Sequence, residues 1–425
     1  MNSIYIQILL SAVIALGIHA EEHDHHEHDH EENLIGKLNP GVSAVIDALY
    51  YNENSKDGLG NIKDEMPGFG HPAHGDEEHA HGNENGFNLR EVEVTLTAEL
   101  DGILNAETTL AFAPHEIELE TAFVETTGLS GGLALKGGKF FSDFGIVNKQ
   151  HPHEWAFTDQ PLIYELTLGD HGLNELGLQA SWTAPLPFYL KVGVEALQGE
   201  NEALFAQEDD SNLPSHSGPR LGVAWLKTGP DLGHRHTLEF GLFGGQGTHQ
   251  EIHEETAGTN NYFDGNSYFA GGDLLYHLHA HGEQGQGDFV LQAEYFQQNK
   301  ALDLLASDDS GTTPGGNLDS NQDGYYLQGL YGFLPKWRGG LRWDQVGLIN
   351  EVKESDAPDE SFGDSWRATA MLDFNPIPST LIRLQASNGD YETATGTQNV
   401  WEGYVQIVVT IGSHKHADEH ACSGH

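Results

Sequence analysis

The sequence predicts an all-β fold, a transmembrane antiparallel β-barrel of about sixteen strands with short periplasmic turns and long extracellular loops. Three observations support this prediction. Side chains alternate between apolar and polar from about residue 41 to residue 412, as they do along strands. No apolar run after residue 20 has the length of a membrane helix, whereas a barrel strand needs only about 9–11 residues. The connections also alternate between long and short. Fourteen or eighteen strands stay open.

The first twenty residues have the pattern of a signal peptide. Residues 4–18 form a mostly apolar run that is short for a bilayer span, and Ala20 suits a cleavage site. A membrane anchor is the alternative, but the run is followed by acidic residues rather than a basic flank, which favours export. We then expect a His- and acid-rich periplasmic tail over 21–39, the barrel over 40–412 and a second His-rich periplasmic tail over 413–425.

Acidic side chains dominate the composition. The 65 Asp and Glu residues stand against 19 Lys and Arg, which gives a net charge of −46. Nucleic acid binding requires clustered Lys and Arg, so it is excluded as a function. The acidic excess also argues against a pore for anions. The single cysteine, Cys422, excludes an intramolecular disulfide. No nucleophile–base pair stands out, so we expect no enzyme activity.

Residues 89–100 show the strand pattern most clearly. One face carries Arg90 and Val92 with other apolar residues, and the opposite face carries Glu91 and Glu93. A soluble sandwich would turn the apolar face inward, whereas a membrane barrel turns it towards lipid and keeps the polar face inside. A soluble β-protein has no reason to sort its connections by length, so the barrel is favoured.

The predicted strands and connections follow from this pattern. The strands lie near 41–51, 88–100, 103–112, 117–126, 133–141, 173–183, 188–197, 219–228, 235–244, 267–279, 288–299, 323–334, 337–347, 364–374, 380–388 and 399–412. The long, external connections are 52–87, 142–172, 198–218, 245–266, 300–322 and 348–363. An even strand number places both termini on the periplasmic side.

Residues 135–145 read LKGGKFFSDFG and are followed by IVNKQHPH. This segment resembles the strand-and-loop signature of the porin family that includes the phosphate-selective porins O and P. It is closer still to a subgroup of zinc-regulated outer-membrane proteins, often labelled TonB-dependent receptors, whose last strand resembles residues 404–414. The resemblance implies a porin-like channel with a role in zinc acquisition. The chain departs from the family by ending in HKHADEHACSGH rather than on an aromatic residue. About 370 barrel residues are also too few for the 22-stranded, plugged barrel of such a receptor.

Charged side chains are predicted to line the pore on two sets of strands. The acidic set, on the second to fourth strands, is Glu91, Glu93, Glu99, Glu107, Glu118 and Glu120. The basic set, on the thirteenth to fifteenth strands, is Arg338, Arg342, Arg367 and Arg383. Opposed acidic and basic walls would set up a field across the pore. The alternative is that these residues are polar only because water fills the lumen.

Histidines are the second unusual feature, with 26 in the chain. The third external loop, 142–172, is the best candidate for a constriction, and its His151 and His153 are suitable zinc ligands. His277 and His279 share one strand face near the periplasmic mouth and need a third ligand from a neighbour. The other predicted metal ligands are His23, His25, His26, His28, His30, His71, His74, His79, His81, His414, His416, His420 and Cys422. A solvated low-complexity tail is the alternative for the terminal clusters.

These features together predict an outer-membrane channel for passive uptake of divalent metal, with zinc (Zn²⁺) favoured over copper and nickel and bound weakly rather than structurally. A general small-solute porin whose histidines only buffer metal is the first alternative. A surface barrel that sequesters metal or mediates adhesion without conducting is the second. We expect outer-membrane lipid and divalent metal ions as partners, and a homotrimer stays open.

Overall fold

The computed structural model of the protein describes residues 41–412, except for residues 57, 70–81, 115, 257, 310–313 and 356–358. The predicted signal peptide and both predicted His-rich tails lie outside the described residues.

Long antiparallel strands make up most of the described chain. The first eight are β1 (Gly41–Glu53), β2 (Gly86–Leu100), β3 (Leu104–Phe112), β4 (Ile117–Thr126), β5 (Leu133–Phe141), β6 (Asn174–Thr183), β7 (Tyr189–Leu197) and β8 (Leu221–Gly229). The next five are β9 (His236–Thr256), β10 (Thr259–Leu278), β11 (Phe289–Ser307), β12 (Asn317–Leu334) and β13 (Trp337–Glu354). They are followed by the two-residue β14 (Glu360–Ser361), β15 (Ser365–Ile377), β16 (Thr380–Tyr391) and β17 (Gln398–Gly412).

The sheet closes into a barrel because its first and last strands pair. Each long strand pairs with the next along the chain, and β1 pairs with β17 from Ser43 opposite Gly412 to Glu53 opposite Glu402. β14 adds only two residue pairs to β13, so sixteen strands form the wall. Closure leaves no exposed sheet edge. The predicted sixteen-stranded antiparallel barrel is confirmed.

Helices are short in the described part of the chain. They are α1 (Leu59–Asp64), α2 (Leu162–Leu168) and the 3₁₀ turns Ser130–Gly132, Pro152–Glu154 and Glu283–Gly285. None of the described helices has the length and apolar character that a bilayer crossing requires.

The strand boundaries match the prediction within three residues, except in β9 to β13. β4 and β5 have the predicted bounds, 117–126 and 133–141. The β9–β10 hairpin, in contrast, continues to Thr256 and Thr259, and β11, β12 and β13 also run past their predicted ends. The predicted loops 245–266, 300–322 and 348–363 are therefore largely wrong. Their polar sequences, such as THQEIHEET at 248–256, lack apolar alternation although the backbone pairing continues.

The connections differ in length at the two ends of the barrel. At one end, called here the long-loop end, lie loop L1 (54–85), loop L3 (142–173) and the connection 198–220. At the opposite, short-turn end, the connection between β2 and β3 is 101–103 and that between β12 and β13 is 335–336. Because Ser43 pairs with Gly412, the start of β1 and the end of β17 lie next to each other at the short-turn end.

The outer face of the barrel is apolar and the inner face is polar. On β17, Trp401, Val405 and Ile407 point outward and are 57%, 42% and 46% exposed, whereas Glu402 and Gln406 point inward and are buried. A soluble sandwich has the opposite arrangement, with apolar side chains inside. An apolar outer face suits a barrel surrounded by lipid.

Two loops from the long-loop end fold into the barrel. α1 of L1 and α2 of L3 pack into one apolar core with inward-facing aromatic side chains of β9 to β12. Phe144 of L3 is fully buried there, with its ring 4.9 Å from that of Phe243 and 5.2 Å from that of Phe269. L3 therefore lies across the barrel interior.

Candidate metal site in the barrel interior

L3 turns into the barrel directly after β5. Gly145 has a φ of +62°, and a Cβ at this position would clash with the Tyr164 hydroxyl and the Glu294 carboxylate, so glycine is required. Glu294 of β11 accepts hydrogen bonds from the backbone N–H of Ile146 (2.9 Å) and from the Tyr164 hydroxyl (2.8 Å). The glycine of the SDFG sequence thus brings L3 against the opposite wall.

Arginines of the wall hold the middle of L3. The Asp159 carboxylate lies 3.0 Å from Arg342 Nη2 and 2.7 Å from Arg367 Nη1. Both guanidinium groups also contact the Asp344 carboxylate, at 2.9 and 3.3 Å. Burial alone would raise the pKa of Asp159, but the Arg342 and Arg367 charges outweigh it and hold that pKa below the usual value.

The other two predicted pore arginines share one aspartate. Arg383 pairs with Asp373 at 2.7 Å and donates to the Trp155 carbonyl of L3 at 3.0 Å, and Arg338 contacts Asp373 at 2.6 Å. All four predicted arginines therefore lie in ion pairs with aspartates. These aspartates offset much of the charge of the expected basic wall.

A β-bulge in the second strand turns one charged residue inward. The register between β1 and β2 shifts at Asp47, which leaves Arg90 without an opposite residue. Its side chain reaches the fully buried Asp47, with Arg90 Nε 3.4 Å from Asp47 Oδ2. Strict alternation had placed Arg90 on the lipid face with Val92, and that prediction is wrong because a bulge inserts one extra residue and reverses the alternation locally.

A second bulge lies between β3 and β4. The register shifts after Thr109, and the consecutive residues Glu120 and Thr121 are both buried, at 6% and 2% exposure. Bulges re-aim side chains in this way next to functional sites. Glu120 is thereby directed towards the same region of the interior as Glu91 and Glu93 of β2.

His151 and His153 of L3 face these glutamates from a tight turn. They flank Pro152 in the 3₁₀ turn Pro152–Glu154, and the Glu154 side chain accepts a hydrogen bond from the His151 backbone N–H (3.0 Å). The two imidazole rings lie side by side, 5.7 Å apart and tilted by 27°. The turn thus presents both rings in one direction.

The five side chains form one group, called here the His–Glu cluster: Glu91, Glu93, Glu120, His151 and His153. His151 Nδ1 lies 3.0 Å from Glu120 Oε2 and 3.3 Å from Glu93 Oε2, and His153 Nδ1 lies 3.2 Å from Glu93 Oε2. Glu91, Glu93 and His153 form one possible ligand triad, and Glu93, Glu120 and His151 form the other. Within the described ranges, no other set of three such side chains has its donor atoms within 4.8 Å of one another.

The carboxylates of the cluster are deeply buried. Glu93 is 0%, Glu120 6% and Glu91 8% exposed. Glu93 Oε1 accepts a hydrogen bond from the Thr95 hydroxyl (3.0 Å), and Glu91 Oε1 has no hydrogen-bond partner among the described residues. Buried carboxylates cost several kcal/mol each unless a cation compensates them. Such a set of side chains therefore favours a bound cation.

Protons compete with a metal ion for the two histidines. Burial alone would lower the pKa of His151, but the Glu120 and Glu93 carboxylates outweigh it and raise that pKa well above the usual value. Burial likewise acts to lower the pKa of His153, and Glu93 raises it overall. Because only neutral imidazole binds a metal, an incoming ion has to displace these protons.

The donor atoms fit zinc in type and in spacing. Zinc binds imidazole nitrogen and carboxylate oxygen at about 2.0–2.2 Å, which in a tetrahedral site places neighbouring donors roughly 3.3–3.6 Å apart. The N···O separations of 3.0–3.3 Å in the cluster need only a few tenths of an ångström of expansion. Calcium and magnesium, which prefer all-oxygen sites, fit less well.

The remaining predicted acidic residues lie outside the cluster. Glu99 is exposed and Glu107 is half-buried. Glu118 lies 3.1 Å from Lys139 Nζ and 3.3 Å from His171 Nδ1. These three glutamates face other surroundings and contribute no atom to either triad.

The second predicted histidine pair lies at the short-turn end. The rings of His277 and His279 are 3.7 Å apart, with His277 half-buried and His279 exposed. No metal triad in the described ranges includes either residue. The other predicted ligands lie outside the described residues: His23, His25, His26, His28, His30, His71, His74, His79, His81, His414, His416, His420 and Cys422.

A further histidine–carboxylate group was not predicted. On the extended part of β9, Glu251 contacts His249 Nε2 at 2.8 Å and His253 Nε2 at 2.7 Å. Lys300 Nζ lies 2.6 Å from the same carboxylate, so a resident cation already pairs with it. Two-residue spacing in HQEIH would have indicated that the three side chains share a face, had this segment been recognised as strand.

Comparison with known proteins finds a relative and several structures of the same fold. No family model matches the chain. An uncharacterized protein of Aquifex aeolicus is 33% identical over 389 residues, which cover 88% of this chain and 79% of that protein. The trimer form of OmpT, an outer-membrane protein of Vibrio cholerae, is 11% identical with a TM-score of 0.51, covering 88% of this chain and 99% of OmpT. The outer-membrane channel DcaP of Acinetobacter baumannii is 12% identical with a TM-score of 0.50, covering 88% of this chain and 97% of DcaP. At such identities the two structures establish the fold alone.

Proposed function

The chain belongs to the same family as the uncharacterized Aquifex aeolicus protein, and we propose that it is a porin-like channel of the outer membrane through which divalent metal ions, zinc foremost, pass down their gradient. The observation that carries this proposal is the His–Glu cluster, in which two loop histidines meet three buried wall glutamates inside a barrel.

The apolar outer face and the likeness to OmpT and DcaP support an outer-membrane location. Barrels of that membrane have short periplasmic turns and long external loops. The long-loop end would therefore face outward and the short-turn end the periplasm. OmpT has been solved as a trimer, and we propose the same state for this chain.

The cluster would act as a selective step in the pore. Its carboxylates attract a cation and replace water around it, and the imidazoles favour zinc over calcium and magnesium. Passage down the gradient needs no chemical step, so the residues of the cluster bind and release the ion without a reaction.

A small cleft between L3 and the barrel wall, with room for about one water molecule, lies on the proposed route beside this loop. Its lining includes Gln150, Trp155, Asp159 and Gln328, and Gln150 directly precedes His151 of the cluster.

The test is planar-bilayer conductance of the purified full chain in potassium chloride, with zinc added at micromolar to millimolar levels. We expect zinc to block the potassium current by occupying the cluster, and zinc gradients to shift the reversal potential. Glu93→Gln should remove both effects. Glu116→Gln, which changes an exposed glutamate outside the cluster, is the matched control and should retain them.

Each other outcome identifies an alternative. A wild-type channel without zinc block or zinc permeation would leave a general small-solute porin. The absence of any channel would leave a barrel that sequesters metal or mediates adhesion. An anion-selective current would contradict the acidic character assigned to the route.

A further inference from the structure

We propose that the His–Glu cluster holds two divalent ions at once, with Glu93 as the ligand that they share. This inference rests on the proposed function, because it specifies how the same site binds and releases its ions.

The position of Glu93 between the two histidines is the first argument. Glu93 Oε2 lies 3.3 Å from His151 Nδ1 and 3.2 Å from His153 Nδ1. Its other oxygen, Oε1, is occupied by the Thr95 hydroxyl at 3.0 Å. A single carboxylate oxygen is thus offered equally to both imidazoles, which is the arrangement of a bridging ligand.

Each histidine also has a glutamate of its own. Glu120 Oε2 lies 3.0 Å from His151 Nδ1, and Glu91 is grouped with His153 rather than with His151. The cluster therefore divides into two halves, each with one imidazole, one private carboxylate and a share in Glu93. Sites with two metal ions about 3.5–4 Å apart are bridged in this way.

Charge supplies the second argument. An ion bound by His151, Glu120 and Glu93 leaves Glu91 buried, with its Oε1 lacking a hydrogen-bond partner among the described residues. The nearby Arg90 does not compensate Glu91 fully, because Arg90 pairs with the buried Asp47 at 3.4 Å. A buried carboxylate with only partial compensation is costly to keep charged, and a second ion in the His153 half would supply the missing charge.

Two ions on a shared ligand would explain how a buried site can release a bound ion. A single tight site would hold an ion and stop conduction, whereas multiple sites allow an entering ion to displace the one ahead. An ion arriving in one half repels its neighbour and competes with it for Glu93. The first ion is then released from the other half.

The test counts zinc per chain by equilibrium dialysis of the purified full chain and of single variants. All of them carry the same predicted His-rich tails, so zinc bound there cancels in each difference. We expect Glu93→Gln to bind two ions fewer than wild type, and His151→Asn and His153→Asn each to bind one ion fewer. Glu116→Gln should bind as many as wild type.

A difference of one ion between wild type and Glu93→Gln would mean a single ion held by all five side chains, which overturns the pair and leaves the proposed function standing. A difference of zero would overturn both. Cobalt titration of the unmodified chain, followed by electron paramagnetic resonance, needs no variant. Two bridged cobalt ions should show spin coupling as the second one binds, and independent signals throughout would contradict the pair.

Discussion

Glu93 depends on one neighbouring hydroxyl for its orientation. Thr95 Oγ1 donates to Glu93 Oε1 at 3.0 Å and lies 3.3 Å from Thr109 Oγ1. Two threonines on the neighbouring strands β2 and β3 therefore position the central carboxylate of the cluster. Partners of this kind fix the direction in which a ligand presents its free oxygen.

Replacing that hydroxyl should weaken zinc binding without changing any ligand. Thr95→Val keeps the side-chain shape and leaves Glu93 free to rotate, so we expect zinc affinity to fall about 10- to 100-fold. The measurement is competition with a fluorescent zinc chelator. Thr97→Val, on the same face of β2, is the control and should bind like wild type. Equal affinities for both variants would show that Thr95 does not orient Glu93.

Single residues also show how far the sequence could predict the site. Alternation along β2 correctly placed Glu91 and Glu93 on the inner face, and ligand type singled out His151 and His153. The sequence could not show that these residues meet, because L3 brings them together from far along the chain. It also could not show the inward turn of Arg90, since a bulge depends on the register of the neighbouring strand.

At the scale of the structural element, buried ion pairs hold L3 in place. Asp159 is its main anchor, because it contacts both Arg342 and Arg367, which are 4% and 0% exposed. The position of L3 across the barrel interior therefore depends on an ion-pair network as well as on the apolar core.

Breaking this anchor should open the pore. Asp159→Asn removes the negative charge between two buried arginines, a change that costs about 3–5 kcal/mol in buried pairs. We expect L3 to detach and the single-channel potassium conductance to rise several-fold with greater noise. Asp170→Asn, an exposed position of L3, is the control. A variant conductance equal to wild type would mean that L3 does not limit the current.

Strand elements were predictable where the bilayer imposes a pattern and not beyond it. β4 begins with the apolar–polar alternation of residues 117–120, and the bounds of β4 and β5 were predicted to the residue. The outer parts of β9 and β10 are also paired, but most of their side chains are polar. Backbone hydrogen bonding continues those strands, and their few apolar side chains, such as Phe263 in a cluster with Leu302 and Leu304, do not form an alternating pattern.

At the scale of the whole molecule, the cluster joins the wall to the loop that crosses it. Glu91 and Glu93 come from β2, Glu120 from β4, and both histidines from L3. An ion bound there would link parts of the barrel that separate on unfolding, so metal binding would add to the stability of the fold.

Zinc should stabilise the folded barrel. At a free concentration 100 times the dissociation constant, one ion that binds only the folded state adds about 2.7 kcal/mol to the free energy of unfolding. The measurement is guanidinium unfolding in detergent, followed by tryptophan fluorescence. Glu93→Gln keeps both predicted His-rich tails and should lose the zinc-dependent shift. A shift of equal size in that variant would place the stabilising zinc elsewhere.

The crossing of the interior by L3 has a consequence for the order of folding. L3 follows β5, yet its partners Glu294, Asp344 and Gln385 belong to strands that lie more than a hundred residues later in the chain. Contacts of such long sequence separation form slowly, because a large chain entropy must be lost first. L3 cannot reach its final place until β11, β13 and β16 have joined the sheet, so we expect the crossing of the interior to form late in folding.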